Sequence, residues 1–369
     1  MDRRNFISSA AALSALAAKE IITPQVVAAA PAPAGQKLVM QLWSRHLQWV
    51  STAAEAASDP LGVGVKIGEN CLAAGFSAVD LTVRSGGHVE PTLVKTNLGP
   101  MLNGIRSTGC VCTQIGANFA PTSDPTDTSW IASQYVNDIL STAAANGITS
   151  YRFYNSGGPA YAANTFGTGV TSQLDGMRLN LRRLAQISAS YGVMCGAMET
   201  HQNNIGSSVQ DYVYALQGIN PNQIGINFAI GHVASNMPGS WTTLQRLAMP
   251  SLRSTALQDL APSINATTGA LSIGTVACKG SGGGIINWKT FFSNLLLGGY
   301  SGPAEAQIEY TIVGALGQSV SLNNADFADN VQFTSGNLTP AIMIATMKNE
   351  SDFYRAQALG AGWNASQII

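Results

Sequence analysis

Charge and histidine are both scarce in this chain. Asp, Glu, Lys and Arg make up 11% of its 369 residues, and Lys plus Arg (19) nearly balance Asp plus Glu (20). No run of like charge is long enough to follow a phosphate backbone or an anionic membrane, so nucleic acid is not an expected partner. The five cysteines, Cys71, Cys110, Cys112, Cys195 and Cys278, lack C-x-x-C spacing, which argues against a zinc framework or a redox dithiol. Cys110 and Cys112 stand two apart in an extended run and share a face, so they cannot easily bond each other, and buried free thiols are expected. No Gly-rich fingerprint follows the first apolar run, where the chain continues "LWSRHLQWV" (42–50). An open dinucleotide-binding sheet is therefore disfavoured.

What is present is apolar bulk: 46% of residues are hydrophobic, enough for one large core. The N-terminus, "MDRRNFISSAAALSALAA", pairs Arg3 with Arg4 ahead of Phe6 and a short Ala-rich stretch, and "VVAAAPAPAG" follows at 26–35. This resembles a twin-arginine export signal with a flexible lead-in, too short and too rich in Ala and Ser to span a bilayer comfortably. Residues 1–35 are accordingly set apart from a fold spanning 36–369. The mature protein is expected to be exported, in the periplasm, with no membrane attachment once the signal is removed.

From residue 37, short β-rich runs alternate with segments of helical period. The runs are 37–43, 78–83, 110–115, 148–154, 193–198, 224–230, 273–279 and 307–312. Between them, 127–147, 172–192 and 287–302 repeat apolar residues at helical spacing, each closing near a glycine, and a final helix is expected from about 340 to 358. Strands alternating with helices imply parallel pairing with right-handed crossovers, and eight repeats imply a closed (β/α)8 TIM barrel. The stretch 314–340 is expected to be a long loop, and "KGSGGGIIN" (279–287) a flexible loop near the site.

A barrel of this kind carries its chemistry over the C-terminal ends of its strands. The residues closing the runs are Arg45 and His46, then Arg84, His88 and Glu90, then Arg152 and Asn155. Glu199 and His201 close the fifth, His232 the sixth, Lys279 the seventh and Glu309 the eighth. All four histidines of the chain fall in this ring. Polar groups are costly to bury unless used or paired, so the ensemble points to a site.

The segments "HLQW" (46–49), "GFSAVDLTVRSGGHVEP" (75–91), "IGH" (230–232) and "GGYSGPAEAQIEY" (298–310) resemble the sugar phosphate isomerase/epimerase family, the xylose isomerase-like TIM barrels. The resemblance runs from about 37 to 312. It implies a divalent metal, such as Mn2+, Mg2+, Co2+ or Zn2+, held by Glu, Asp, His and Glu from strands five to eight. It further implies that the two Glu ligands flank the substrate carbon and move its proton. Glu199 matches the first Glu, Glu309 the last, and His232 the substrate-binding histidine. Ala229 stands where the Asp is expected and Ala277 where the His is expected, so two of four ligands are replaced. Two carboxylates with water would hold Mg2+ or Mn2+ only weakly. The sequence favours a mouth without a tightly held ion over a rearranged site of Glu199, His201 and Glu309.

The expected function is that of an exported isomerase or epimerase acting on a carbohydrate by proton transfer next to a carbonyl, with lyase-like chemistry on keto-sugars as a variant. Glu199 and Glu309 would be catalytic, with His46, Arg84, His88, Glu90, Arg152, His201, His232 and Lys279 around the substrate. The alternative is a non-catalytic sugar-binding barrel, with Trp43, Trp49 and Tyr154 as candidate stacking surfaces. Family barrels often form dimers or tetramers, which makes a homo-oligomer an expectation.

Overall fold

The computed structural model describes residues 35–369 apart from 118, 155–168, 193–194, 202–207, 265–266, 279–283, 314–315, 318, 322–326 and 329–337. Seven strands come first: β1 (Leu38–Trp43), β2 (Ala78–Val83), β3 (Val111–Ala117), β4 (Ser150–Tyr154), β5 (Cys195–Glu199), β6 (Ile224–Ala229) and β7 (Leu252–Leu257). After them come β8 (Asp259–Ile264), β9 (Leu271–Val276), β10 (Gly302–Ala306), β11 (Thr311–Val313) and β12 (Ser319–Ser321). The barrel closes in the order β1, β10, β7, β6, β5, β4, β3, β2, every neighbouring pair parallel. This is the expected eight-stranded TIM barrel.

Six of the expected strands lie where the apolar runs placed them. The other two are corrected. The run at 273–279 belongs to β9, which pairs antiparallel with β8 in a hairpin outside the barrel, while the seventh barrel strand is β7, "LRSTAL". The run at 307–312 follows the eighth barrel strand β10, "GPAEA", and ends in the small β11–β12 pair. Both barrel strands are short on β-branched and aromatic residues, which hid them from a search for apolar β-rich runs. The helical stretch 127–147 is also divided, into Ser129–Ser133 and Val136–Ala145, because Tyr135 between them takes a left-handed φ of 54°. Helices at Gly169–Ser190, Trp288–Leu297 and Pro340–Gly360 match the helical periods of the sequence.

The strands show why their pattern suits a barrel. On β4, Tyr151 and Phe153 alternate with Arg152; on β6, Ile226 and Phe228 alternate with Asn227; on β2, Val79 and Leu81 flank Asp80. Apolar members meet the outer helices, as Phe228 does Phe291, with ring centroids 6.5 Å apart. The interior of such barrels is ordinarily filled by branched apolar side chains. Here it holds buried polar ones instead, among them Gln41, Asp80, Gln114, Arg152 and Glu305.

Candidate active site

The site is built outward from one cation. Arg152, 5% exposed, reaches three carboxyl groups from β4. Its Nε lies 3.2 Å from Asp80 Oδ2 and 3.3 Å from Glu305 Oε1, and its Nη1 donates to Glu199 Oε2 at 2.6 Å. Gln114 donates to Asp80, and Gln307 and Gln41 donate to Glu305. Gly116, level with Arg152 on β3, makes the room: a Cβ there would stand 3.1 Å from Asp80 and 3.2 Å from the guanidinium. Burial works against the charge of Arg152, but Glu305, Glu199 and Asp80 outweigh it and hold the group protonated above its ordinary range. Burial, aided by Asp80 and opposed by Arg152, lifts Glu305 well above the usual carboxylate range.

Above this cluster lie two adjoining cavities, of about 150 and 270 Å³, that share His201, His232 and Glu309. Together they fall in the size range of ordinary small-molecule sites. Glu199 also lines the smaller one; Gln258 closes the end of β7 and lines the larger. The His201 and His232 rings approach to 4.2 Å between centroids. Gly231, at the start of the helix after β6, lets the Gln258 amide come close: a Cβ would fall 2.1 Å from its oxygen.

The two expected carboxylates differ electrostatically. Burial pushes Glu199 upward, yet Arg152, His232 and His201 together overcome it, and its pKa ends below the usual value. Burial and the nearby Glu199 charge raise Glu309, which accepts a hydrogen bond from Gln258 Nε2. Burial lowers His232 to about 4, with Glu199 opposing. At neutral pH its ring is therefore neutral, and its 3.7 Å approach to Glu199 Oε1 is a polar contact rather than an ion pair.

Of the residues expected at the substrate, Arg84, Arg152, Glu199, His201, His232 and Glu309 line these cavities. His46, His88 and Glu90 do not. His46 is fully buried, and its Nε2 accepts from the Ile308 backbone N–H at 2.9 Å. His88 packs beneath the loop after β2, 3.2 Å from the Ser44 hydroxyl, and with Glu90 lines a separate cavity of about 40 Å³. Glu90 accepts from the Gly86 N–H at 2.7 Å and so ties that loop. Lys279 and Asn155 lie outside the described residues, as does the side chain of Tyr154. Trp43 offers no open stacking face: guanidinium carbons of Arg152, Arg84 and Arg45 stand 4.8, 5.3 and 5.8 Å from its ring. Trp49 is buried and donates to the His46 carbonyl.

Sequence reasoning missed Asp80, Glu305, Gln258 and Gln307. Asp80 was signalled by a lone acid in the centre of a strand. The other three were hidden by the misplaced seventh and eighth strands. With β7 at Leu252–Leu257, Ala277 no longer marks a barrel strand end; Gln258 does, and Gln307 directly follows β10. The residues that follow or end β5, β6, β7 and β10 are Glu199, Ala229, Gln258 and Gln307, only one of them a carboxylate. Glu199 is already bonded to Arg152, and among the described residues no group of three or more His, Cys, Asp or Glu is placed to hold a metal ion.

A family model described as the xylose isomerase-like TIM barrel matches residues 69–330, so the chain belongs to that family. No curated protein sequence matches it significantly. Among solved structures, it is similar to a xylose isomerase-like TIM barrel protein from Mycobacterium smegmatis in complex with magnesium, with TM-score 0.56 and 14% identity, covering 86% of this chain and 98% of that one. D-psicose 3-epimerase with D-tagatose from Clostridium cellulolyticum H10 gives TM-score 0.58 and 11% identity, covering 86% and 99%. Mannonate dehydratase from Streptococcus suis serotype 2 gives 0.57 and 10%, covering 91% and 97%. At such identities the likeness is one of fold.

Proposed function

We propose that this member of the xylose isomerase-like TIM barrel family is an isomerase or epimerase of carbohydrates that moves a proton next to a carbonyl without a metal ion in its mouth. The observation that carries the proposal is the pair Glu199 and Glu309, which line one cavity with pKa values displaced in opposite directions. Pairs of carboxyl groups held apart in this way supply one base and one acid at the same pH. Glu199 stays ionised beside Arg152 and accepts the proton from the carbon adjoining the carbonyl. Glu309, whose carboxyl holds its proton more tightly than usual, passes that proton to the developing oxyanion, giving an enediol. Return of a proton to the other face or the neighbouring carbon completes epimerisation or isomerisation.

The neutral His232 ring, the His201 ring and the amides of Gln258 and Gln307 line the cavities in which sugar oxygens would be bonded. The fixed charge that a divalent ion would bring is supplied here by Arg152. A carboxylate so closely paired is a weak base, which favours substrates whose C–H is already acidified by a ketone.

Glu199→Gln and Glu309→Gln test the pairing. Each is expected to lower turnover of a keto-sugar substrate by about 10²- to 10⁴-fold with the fold intact. Full turnover in both variants would contradict it.

The paired Arg3 and Arg4 support export through the twin-arginine route to the periplasm. Mass analysis of the protein from the cell envelope should show a start near residue 35, and Arg3→Lys with Arg4→Lys should leave the precursor in the cytoplasm.

A further inference from the structure

The two arginine environments in the mouth are unlike. Arg152 is saturated by three carboxyl groups. Arg84, half-buried on the same 150 Å³ cavity, has no carboxylate within 4 Å among the described residues, and its guanidinium carbon stands 5.3 Å from the Trp43 ring centroid. A guanidinium donates hydrogen bonds and accepts none, so Arg84 asks for a group that is all acceptor. Glu199, His201, His232 and Glu309, the residues of the proposed proton transfer, line the same cavity.

We infer that the substrate is a sugar acid: its carboxylate is held by the Arg84 guanidinium, and its carbonyl-bearing carbons reach the two glutamates. This rests on the carbohydrate reading of the site. A carboxylate is favoured over a phosphate because a planar two-oxygen fork matches one guanidinium, whereas a phosphate, with more oxygens to satisfy, asks for further donors such as a Gly-rich turn or helix N-terminus. The carboxylate also offsets the cost of a guanidinium partly withdrawn from bulk water with no partner anion among the described residues.

The test is binding of matched probes to the mature full-length protein by calorimetry: glucuronate against glucose, galacturonate against galactose, with inorganic phosphate and acetate as simple anions. Wild type, Arg84→Gln and Arg84→Lys are compared. The acids are expected to bind about 10- to 100-fold more tightly than the neutral sugars, the span of one charge-assisted hydrogen-bond pair. Arg84→Gln should erase most of that preference and leave neutral-sugar affinity within about 3-fold, while Arg84→Lys, which keeps charge but loses the fork, should keep only part. Equal binding of acid and neutral sugar would overturn the carboxylate assignment and leave the carbohydrate reading standing. Phosphate or acetate binding as tightly as the sugar acids would overturn it in favour of a simple anion site. Failure of every sugar to bind would overturn the carbohydrate reading as well.

Discussion

His46 and His88 on one side of the barrel end contrast with His201 and His232 on the other. All four follow barrel strands. On the β1–β2 side neighbouring segments claim the rings: the Ile308 backbone N–H occupies His46, and the Ser44 hydroxyl and the Phe327 ring pack against His88. On the β5–β6 side the rings face each other over the cavity that contains Glu309. Strand-end position thus selects residues that can serve a site, and what the next loop packs against decides which of them do.

The largest break in this comparison comes from Arg152, on which the β5 side depends. Arg152→Met leaves buried Asp80 and Glu199 without their cation and is expected to cost about 3–5 kcal/mol, measured by urea unfolding. Stability unchanged by this substitution would show that the cluster is not ionised as described.

The pH dependence joins the two sides for stability while separating them for catalysis. His88 and His232 are each lowered by burial to about 4, against an ordinary 6.5. Between about pH 4 and 6.5 the unfolded chain therefore binds more protons than the folded one. Stability rises with pH through this window and is lost as pH falls through it, on the order of 2 kcal/mol for each ring. His88→Gln and His232→Gln should each flatten that acid slope by a similar amount, read from unfolding curves across the window. Only His232→Gln should also weaken sugar binding.

A smaller contrast sharpens the division. His46→Ala strands the buried Ile308 N–H and should cost about 1–3 kcal/mol without touching ligand affinity. His201→Ala should change stability by less than about 1 kcal/mol and lower ligand affinity instead. The smallest expected effect is that of metal: Mn2+, Mg2+, Co2+ and Zn2+ should shift the melting temperature no more than matched ionic strength does. A saturable rise would mean that the mouth holds an ion after all.

Much of this was legible in the sequence because the barrel repeats one physical signal, a short apolar run, clear in six of its eight strands and followed in places by a segment of 3.6 period. It failed at β7 and β10, where "LRSTAL" and "GPAEA" carry little apolar or β-branched weight and are recognised only through their pairing with neighbours. That failure moved the strand ends and with them Gln258 and Gln307. The residues Glu199, His201, His232, Arg84 and Arg152 were reachable from strand-end logic alone, whereas Glu309, three residues past β10, was reached through the misplaced eighth run. The Asp80–Arg152–Glu305 cluster was not, since nothing in a single strand says that its one inward charge meets another from across the barrel. Tertiary closure makes that pairing.

The most direct test of the central claim is solvent exchange at carbon. Keto-sugars and their carboxylate analogues are incubated with the purified protein in D2O, treated with chelator, and recovered for mass and NMR analysis. Glu199 and Glu309 acting as base and acid predict deuterium at the carbon next to the carbonyl with wild type, and none above background with Glu199→Gln or Glu309→Gln. Sugars that bind yet return unlabelled from the wild-type protein would contradict proton transfer and leave the barrel as a binder.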